Sequence, residues 1–213
     1  MRKFIQYSLF FAFFSMVAFG CAQPAQSPLP VGNLKLGVAF FTYPSDNSEL
    51  IAGYIAGNDT TVSPTVLSQL DLLFAQSLQD NSKHFFTNSS EAYNCSQSIA
   101  KATTAPRAAL QRWGEVGRCM KVDLLLVPQV YEWNPRHGSS VGVVTPARIA
   151  LGFFLIDARN DRLVSRFHFD ETQQALSDNL LEAGKFFKRG ARWITAEEMA
   201  VEAMNQAIKE LRL

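Results

Sequence analysis

The sequence has no long apolar run, no excess of either charge, only three cysteines and none of the compact motifs that mark a catalytic centre. Its longest apolar stretch, Phe4 to Phe19, is sixteen residues interrupted by Gln6, Ser8 and Ser15. A helix needs ~20 residues to cross a bilayer comfortably, so the segment is expected to be removed rather than kept. Twenty basic side chains against nineteen acidic ones leave no basic field for nucleic acid, and recognition by shape and local contacts is expected instead. The only histidines, His84, His137 and His168, fall in no HExxH and no Cys/His spacing. Strand alternation puts His168 and Asp170 on one side with Glu171 nearby, but polar strand ends carry such residues without any ligand. Gly138-Ser139-Ser140-Val141 is not the Gly-x-Ser-x-Gly elbow, and Gly114 to Gly117 fall within a helical pattern without a phosphate-loop signature. No catalytic residue, no metal and no cofactor is expected, and no internal repeat is visible.

What is present begins at the N-terminus. Arg2 and Lys3, the apolar stretch and Ala18-Phe19-Gly20-Cys21 have the order of an export signal. A small residue followed by Cys resembles the lipobox that ends bacterial lipoprotein signals. The sequence departs from that pattern in having Ala18 three places before the Cys, where a branched apolar residue is usual, and bulky Phe19 behind it. The resemblance implies a diacylglyceryl thioether on Cys21 and an acyl chain on its amine, a durable membrane anchor. The alternative is an ordinary cut at a nearby small residue. Ala22 agrees with the outer membrane, because Asp in that place is the inner-membrane retention signal in enterobacteria-like rules. With Arg2 and Lys3 gone, eighteen basic side chains face nineteen acidic ones.

Cys95 and Cys119 then remain, in a chain that meets an oxidising compartment. Pairing would close a loop of about 24 residues, worth roughly 3 kcal/mol in the chain-entropy model. Two separate buried thiols are the alternative. The chain divides into a signal (1–20), the lipidated Cys with a Pro/Gln-rich tether (21–33) and one globular domain (34–213). Proline-rich tethers stay extended at roughly 3 Å per residue, holding the domain up to ~35 Å from the bilayer.

Leu34 to Thr42 is short, apolar and rich in strand formers, the first strand. The stretch from Tyr43 to Val62 is long for a connection; its middle, Leu50 to Ile55, is either a functional loop or a turn of amphipathic helix with Leu50 and Tyr54 on one face. Ser63-Pro64 opens a helix whose Val66, Leu67, Leu70, Leu73, Phe74 and Leu78 share a face. His84 to Thr87 reads as a short strand, Asn88 to Ser98 as a polar surface loop, and Pro106 to Met120 as a second helix. Val122 to Trp133 is a strand covered on both faces, in which Pro128 marks a bulge, an edge or a departure from the sheet. Ala147–Asp157 and Asp161–Phe169 form a hairpin, the second arm pointing Leu163, Ser165, Phe167 and Phe169 inward. Leu176 to Lys188 and a helix begun by the capping box Thr195-Ala196-Glu197-Glu198 close the chain.

Two stretches offer binding surface. The tip from Trp133 to Pro146 places Trp133, Arg136 and His137 beside Gly and Ser on a sheet-held loop. The run Lys185 to Trp193 is basic and aromatic, suited to an anionic surface or, more simply, to a helix end whose Phe residues enter the core and whose cations meet the helix dipole. The element order gives an α/β (α+β) fold: one mixed sheet packed with helices, with a C-terminal hairpin and two closing helices. That order, with Gly117-Arg118-Cys119-Met120-Lys121-Val122-Asp123-Leu124-Leu125-Leu126-Val127 and Leu155-Ile156-Asp157-Ala158-Arg159-Asn160-Asp161-Arg162-Leu163-Val164, resembles periplasmic lipoproteins of the curli-secretion-channel and penicillin-binding-protein-activator type. The resemblance implies a domain that binds or assembles without catalysis. The expectation is an outer-membrane-anchored lipoprotein presenting a periplasmic domain to a cell-envelope protein partner. A small-ligand or glycan-binding module using the Trp133 tip is the first alternative, an envelope hydrolase the second.

Overall fold

The computed structural model describes residues 34–53, 61–102, 107–174 and 183–213. The signal, Cys21, the tether, Tyr54, Ile55, Pro106 and the first part of the Leu176 segment lie outside the described residues.

Five strands form a mixed sheet in the order β2-β1-β3-β6-β7, from β1 (Leu36–Val38), β2 (Phe86–Thr87), β3 (Leu124–Asn134), β6 (Arg148–Asp157) and β7 (Arg162–Thr172). The first strand runs parallel to β2 and β3, whereas β3, β6 and β7 are antiparallel. A two-stranded ribbon, β4 (His137–Gly138) and β5 (Val143–Thr145), makes the tip. The helices are α1 (Pro64–Asn81), α2 (Ser89–Ala102), α3 (Ala109–Cys119), α4 (Ala183–Lys188) and α5 (Ala196–Glu210). This is the α/β class expected.

The period of two along β3 divides the core. Leu124, Leu126 and Val130 turn to the face covered by α1 and α5; Leu125 and Val127 turn to the face covered by α2 and α3. On the first face Phe41, Phe74 and Phe153 meet with centroids 5.3–6.1 Å apart, all 2 % exposed or less. Cutting one of them to Ala would cost about 3–5 kcal/mol. α1 starts where Ser63 Oγ accepts from Val66 N at 3.3 Å with Pro64 in the first turn. α5 starts at the reciprocal Thr195–Glu198 capping box, and its Ala200, Ala203, Met204, Ala207 and Ile208 are all buried. On the second face α3 lies close to the β6–β7 turn: a Cβ on Gly117 would stand 2.6 Å from Ala158 Cβ.

Three expectations need correction. The polar stretch from Asn88 to Ser98 belongs to helix α2, with Asn88 Oδ1 accepting from Glu91 N at 3.1 Å. Its inward residues are the small Ala92 and Cys95, three apart and so on one face, which left little apolar signal to read. In β7 the single alternation is broken by a bulge opposite Leu155/Ile156, so Leu163 packs on the second face while Val164 and Phe167 pack on the first. The basic-aromatic run also differs, because Phe187 is 64 % exposed and does not enter the core. Three of its four cations are paired within the domain: Lys185 with Glu171, Arg189 with Glu171 at 2.7 Å and with Glu202, and Arg192 with Glu198 at 2.6 Å.

Candidate functional site

Of the sequence-predicted surface residues, the structure gathers few. Trp133 is buried in the first core at 9 % exposure, because the bulge between Val130 and Glu132 turns it inward. Arg136 is spent on the backbone, donating from its guanidinium to Trp193 O, and Ser140 O accepts from Trp193 N at 2.9 Å. His137 is exposed in β4, next to the exposed Val141 and Val144. Leu50 is half-buried in a loop tied to β3: Gln129 Nε2 donates to Glu49 O at 2.9 Å, Gln129 Oε1 accepts from Ile51 N at 3.2 Å, and Tyr131 OH donates to Ala52 O at 2.9 Å. The described part of that loop, through Gly53, contains no helix. Cys95 and Cys119 are joined by a disulfide, Cα to Cα 5.9 Å, that fastens α2 to the end of α3. Among the described residues no three His, Cys, Asp or Glu side chains gather where a metal ion could sit.

A better-formed site lies elsewhere. The connection after β1 runs through α1 on one face and the connection after β2 runs through α2 and α3 on the other. In open α/β sheets ligands bind outside the carboxyl ends of strands where the connections part in this way. Here the parting leaves a cleft of about 660 Å³ between Phe40–Pro44, the first two turns of α1, the start of α2 and Trp113 of α3.

Three polar groups in the residues around the cleft are poorly met. Trp113, 2 % exposed, buries its Nε1, and no hydrogen-bond partner stands near it among the described residues. Thr42 Oγ1 is buried in the same condition. A buried polar group without a partner costs about 1–3 kcal/mol, so each calls for an explanation. Asp71 accepts one hydrogen bond, from Phe41 N at 2.7 Å, and burial pushes its carboxyl up to about 6 against the lowering effect of that bond. Around them stand Phe40, set edge-on to Trp113 and to Tyr93 with both centroid distances 5.5 Å, and Tyr93 itself, 52 % exposed. Among the described residues of the wall the one cation, Arg112, lies 3.7 Å from Glu49 and over the Trp113 ring at 5.8 Å.

Sequence reasoning missed this site. One signal was available: Asp71 falls within the apolar stripe of α1, four residues after Leu67 and three before Phe74, and a lone carboxyl on a buried stripe is a polar group with a reason.

A second, smaller hollow of about 330 Å³ opens on the uncovered half of the sheet, where Tyr131 faces His168 with ring centroids 5.7 Å apart beside Arg148, Arg166 and Asp170. Arg148 is committed there to Glu132 at 2.7 Å and Asp170 at 3.3 Å.

No protein family and no curated protein matches the sequence. Solved structures of similar shape include a PelC dodecamer from Paraburkholderia phytofirmans, 14 % identical over 83 % of this chain and 86 % of that one, with a TM-score of 0.45. The C-terminal domain of LpoB from Salmonella enterica is 10 % identical over 66 % of this chain and 83 % of that one, TM-score 0.38. Lipoprotein GNA1162 from Neisseria meningitidis is 12 % identical over 74 % of this chain and 98 % of that one, TM-score 0.37. In each case the likeness is loose.

Proposed function

We propose that this protein is a lipoprotein of the bacterial cell envelope, held in the outer membrane by acyl chains on Cys21, whose periplasmic domain binds an envelope partner without catalysing a reaction. The observation that carries the reading is the sequence Gly20-Cys21 at the end of a charged, then apolar, N-terminus. The Cys95–Cys119 bond supports it, since such bonds persist in oxidising compartments. The resemblance over residues 117–127 and 155–164 to channel-forming and synthase-activating lipoproteins supports the choice of binding or assembly over chemistry. The experiment is growth on labelled palmitate. Label in the parent, none in Cys21→Ala, and release of that variant from the membrane fraction is the expected result; an unlabelled, soluble parent refutes the anchor.

The reading of the domain as a small-ligand or glycan-binding module is favoured by one observation, the cleft with its aromatic wall and the part-buried carboxyl of Asp71. It moves the binding residues from the Trp133 tip to the ends of β1 and β2. A hydrolase gains no such support from the cleft, whose described lining holds no histidine; His84 lines a separate hollow of about 470 Å³ that Asp71 also borders.

A further inference from the structure

The sheet ends in an unprotected edge. β7 is outermost in the strand order and 11 residues long, and it contains neither proline nor lysine. An edge strand of that kind is a template for pairing unless something blunts it. The bulge opposite Leu155/Ile156 disturbs only its start and leaves residues 165–172 in even register with β6. Gln173 N donates to Ala147 O at 3.1 Å, so these two residues form a hydrogen-bonded pair. Such pairs alternate along an antiparallel ladder: Phe167, Phe169 and Glu171 turn their N–H and C=O groups to β6, whereas Arg166, His168 and Asp170 turn theirs outward. Among the described residues nothing hydrogen-bonds those outward groups. The three side chains are exposed and share the uncovered face, where they border the hollow beside Tyr131.

Charge reverses along these outward residues, from Arg166 through His168 to Asp170. A strand laid antiparallel on the edge meets that order backwards, so the strand that complements it is a second β7. Outward groups on alternate residues allow a two-fold axis at Phe167, His168 or Phe169. At Phe167 each Arg166 would face His168 of the other copy, and at Phe169 it would face Thr172. Only at His168 does each Arg166 face Asp170. We infer that two copies of this chain pair β7 to β7, antiparallel about an axis at His168, joining the two five-stranded sheets into one. Each Arg166 then meets Asp170 of the other copy, and Arg148, 3.3 Å from Asp170 in the same chain, extends the pair into a network. The inference goes beyond the proposed function and does not depend on the anchor at Cys21.

Opposed residues of a hydrogen-bonded pair stand about 5.5 Å apart at Cα, within the ~4.4–6.8 Å that a disulfide spans. Residue 168 would face its own copy at that distance, whereas residue 166 and its copy would lie four residues out of line, about 14 Å apart. The full-length protein carrying His168→Cys, in enough detergent that each micelle holds one chain, is oxidised with copper phenanthroline and run on a non-reducing gel. It is expected to run as a dimer, and the parent and Arg166→Cys as monomers. Adding Arg166→Glu to His168→Cys sets carboxylates face to face and is expected to slow linking about tenfold; adding Asp170→Lys as well is expected to recover most of the rate, with circular dichroism unchanged throughout. The inference is overturned if His168→Cys links no faster than Arg166→Cys, or if neither charge change alters the rate. An edge that takes an extended segment of a different protein gives no symmetric link and overturns it equally.

Discussion

Breaking the bond between Cys95 and Cys119 should cost this domain a measurable part of its stability and should loosen the cleft at the same time. The two residues are 24 apart in sequence, and in the chain-entropy model a loop of that size restrains the unfolded chain by about 3 kcal/mol. For a chain of 213 residues each kcal/mol moves the melting temperature by about 2–4 °C, so reduction should lower it by about 6–12 °C. Cys119 lies at the surface, so a small reductant reaches the bond without unfolding the protein. The assay is urea unfolding of the oxidised and reduced protein, with Cys95→Ala/Cys119→Ala as a second route to the same state. The midpoint should fall while the slope rises, since the reduced unfolded chain is more expanded. Tyr93 and Asn94 immediately precede Cys95, and α3 carries Trp113, so the bond joins two walls of the cleft and hydrogen exchange in α2 should quicken on reduction. Equal midpoints for the two forms, or two thiols titrating in unfolded, unreduced protein, would refute the reasoning.

Asp71→Asn tests the buried carboxyl. Its folded pKa of about 6 lies above the ordinary 3.8, so the folded protein binds the proton more tightly and loses stability as pH rises from about 4 to 6. Asn can still accept from Phe41 N, so the variant should gain about 1–2 kcal/mol at pH 7, discounted for partial exposure, and nothing at pH 4; thermal melts at the two values decide. Gly117→Val should cost about 2–3 kcal/mol by pushing α3 off the β6–β7 turn, and Ala158→Gly should recover part of the loss, a coupling read from a double-mutant cycle of urea midpoints.

The parts of the fold that were legible in the sequence are those in which local chemistry and burial agree. Ser63-Pro64 and Thr195 to Glu198 stop and start the chain by hydrogen bonds that any helix needs, and the apolar stripes behind them are wide. The near-continuous apolar residues of β3 and β6 announce strands covered on both faces, and Ala158 to Asp161 announces their neighbour's turn. Legibility fails where the signal is tertiary. α2 buries little more than Ala92 and Cys95, so its helical face is cut from small residues that composition ignores. The β7 bulge shifts the phase of one arm by one residue, which no alternation count anticipates. The cleft was invisible because its walls come from residues some 70 positions apart, brought together by the order in which strands enter the sheet.

That order also explains why the cleft forms where it does. Ala39 N donates to Leu126 O at 2.8 Å, and the next rung of a parallel pair would return from the nitrogen of residue 128 to β1. Residue 128 is proline and has no hydrogen to give. The ladder lapses there, although β3 itself runs on unbroken through Phe153 opposite, and pairing resumes one residue out of step, where Thr42 O accepts from Val130 N at 2.8 Å. The extra residue leaves Phe41 N outside the sheet, and a buried N–H must find an acceptor. Asp71 supplies it from α1, which is a reason for a carboxyl to stand on an otherwise apolar stripe. Phe40 and Thr42, released from a regular strand, become wall residues of the cleft beside Trp113. One missing hydrogen at Pro128 thus accounts for the shortness of β1, for the placement of Asp71 and for the opening beside them, so the site follows from the same residue that ends the strand.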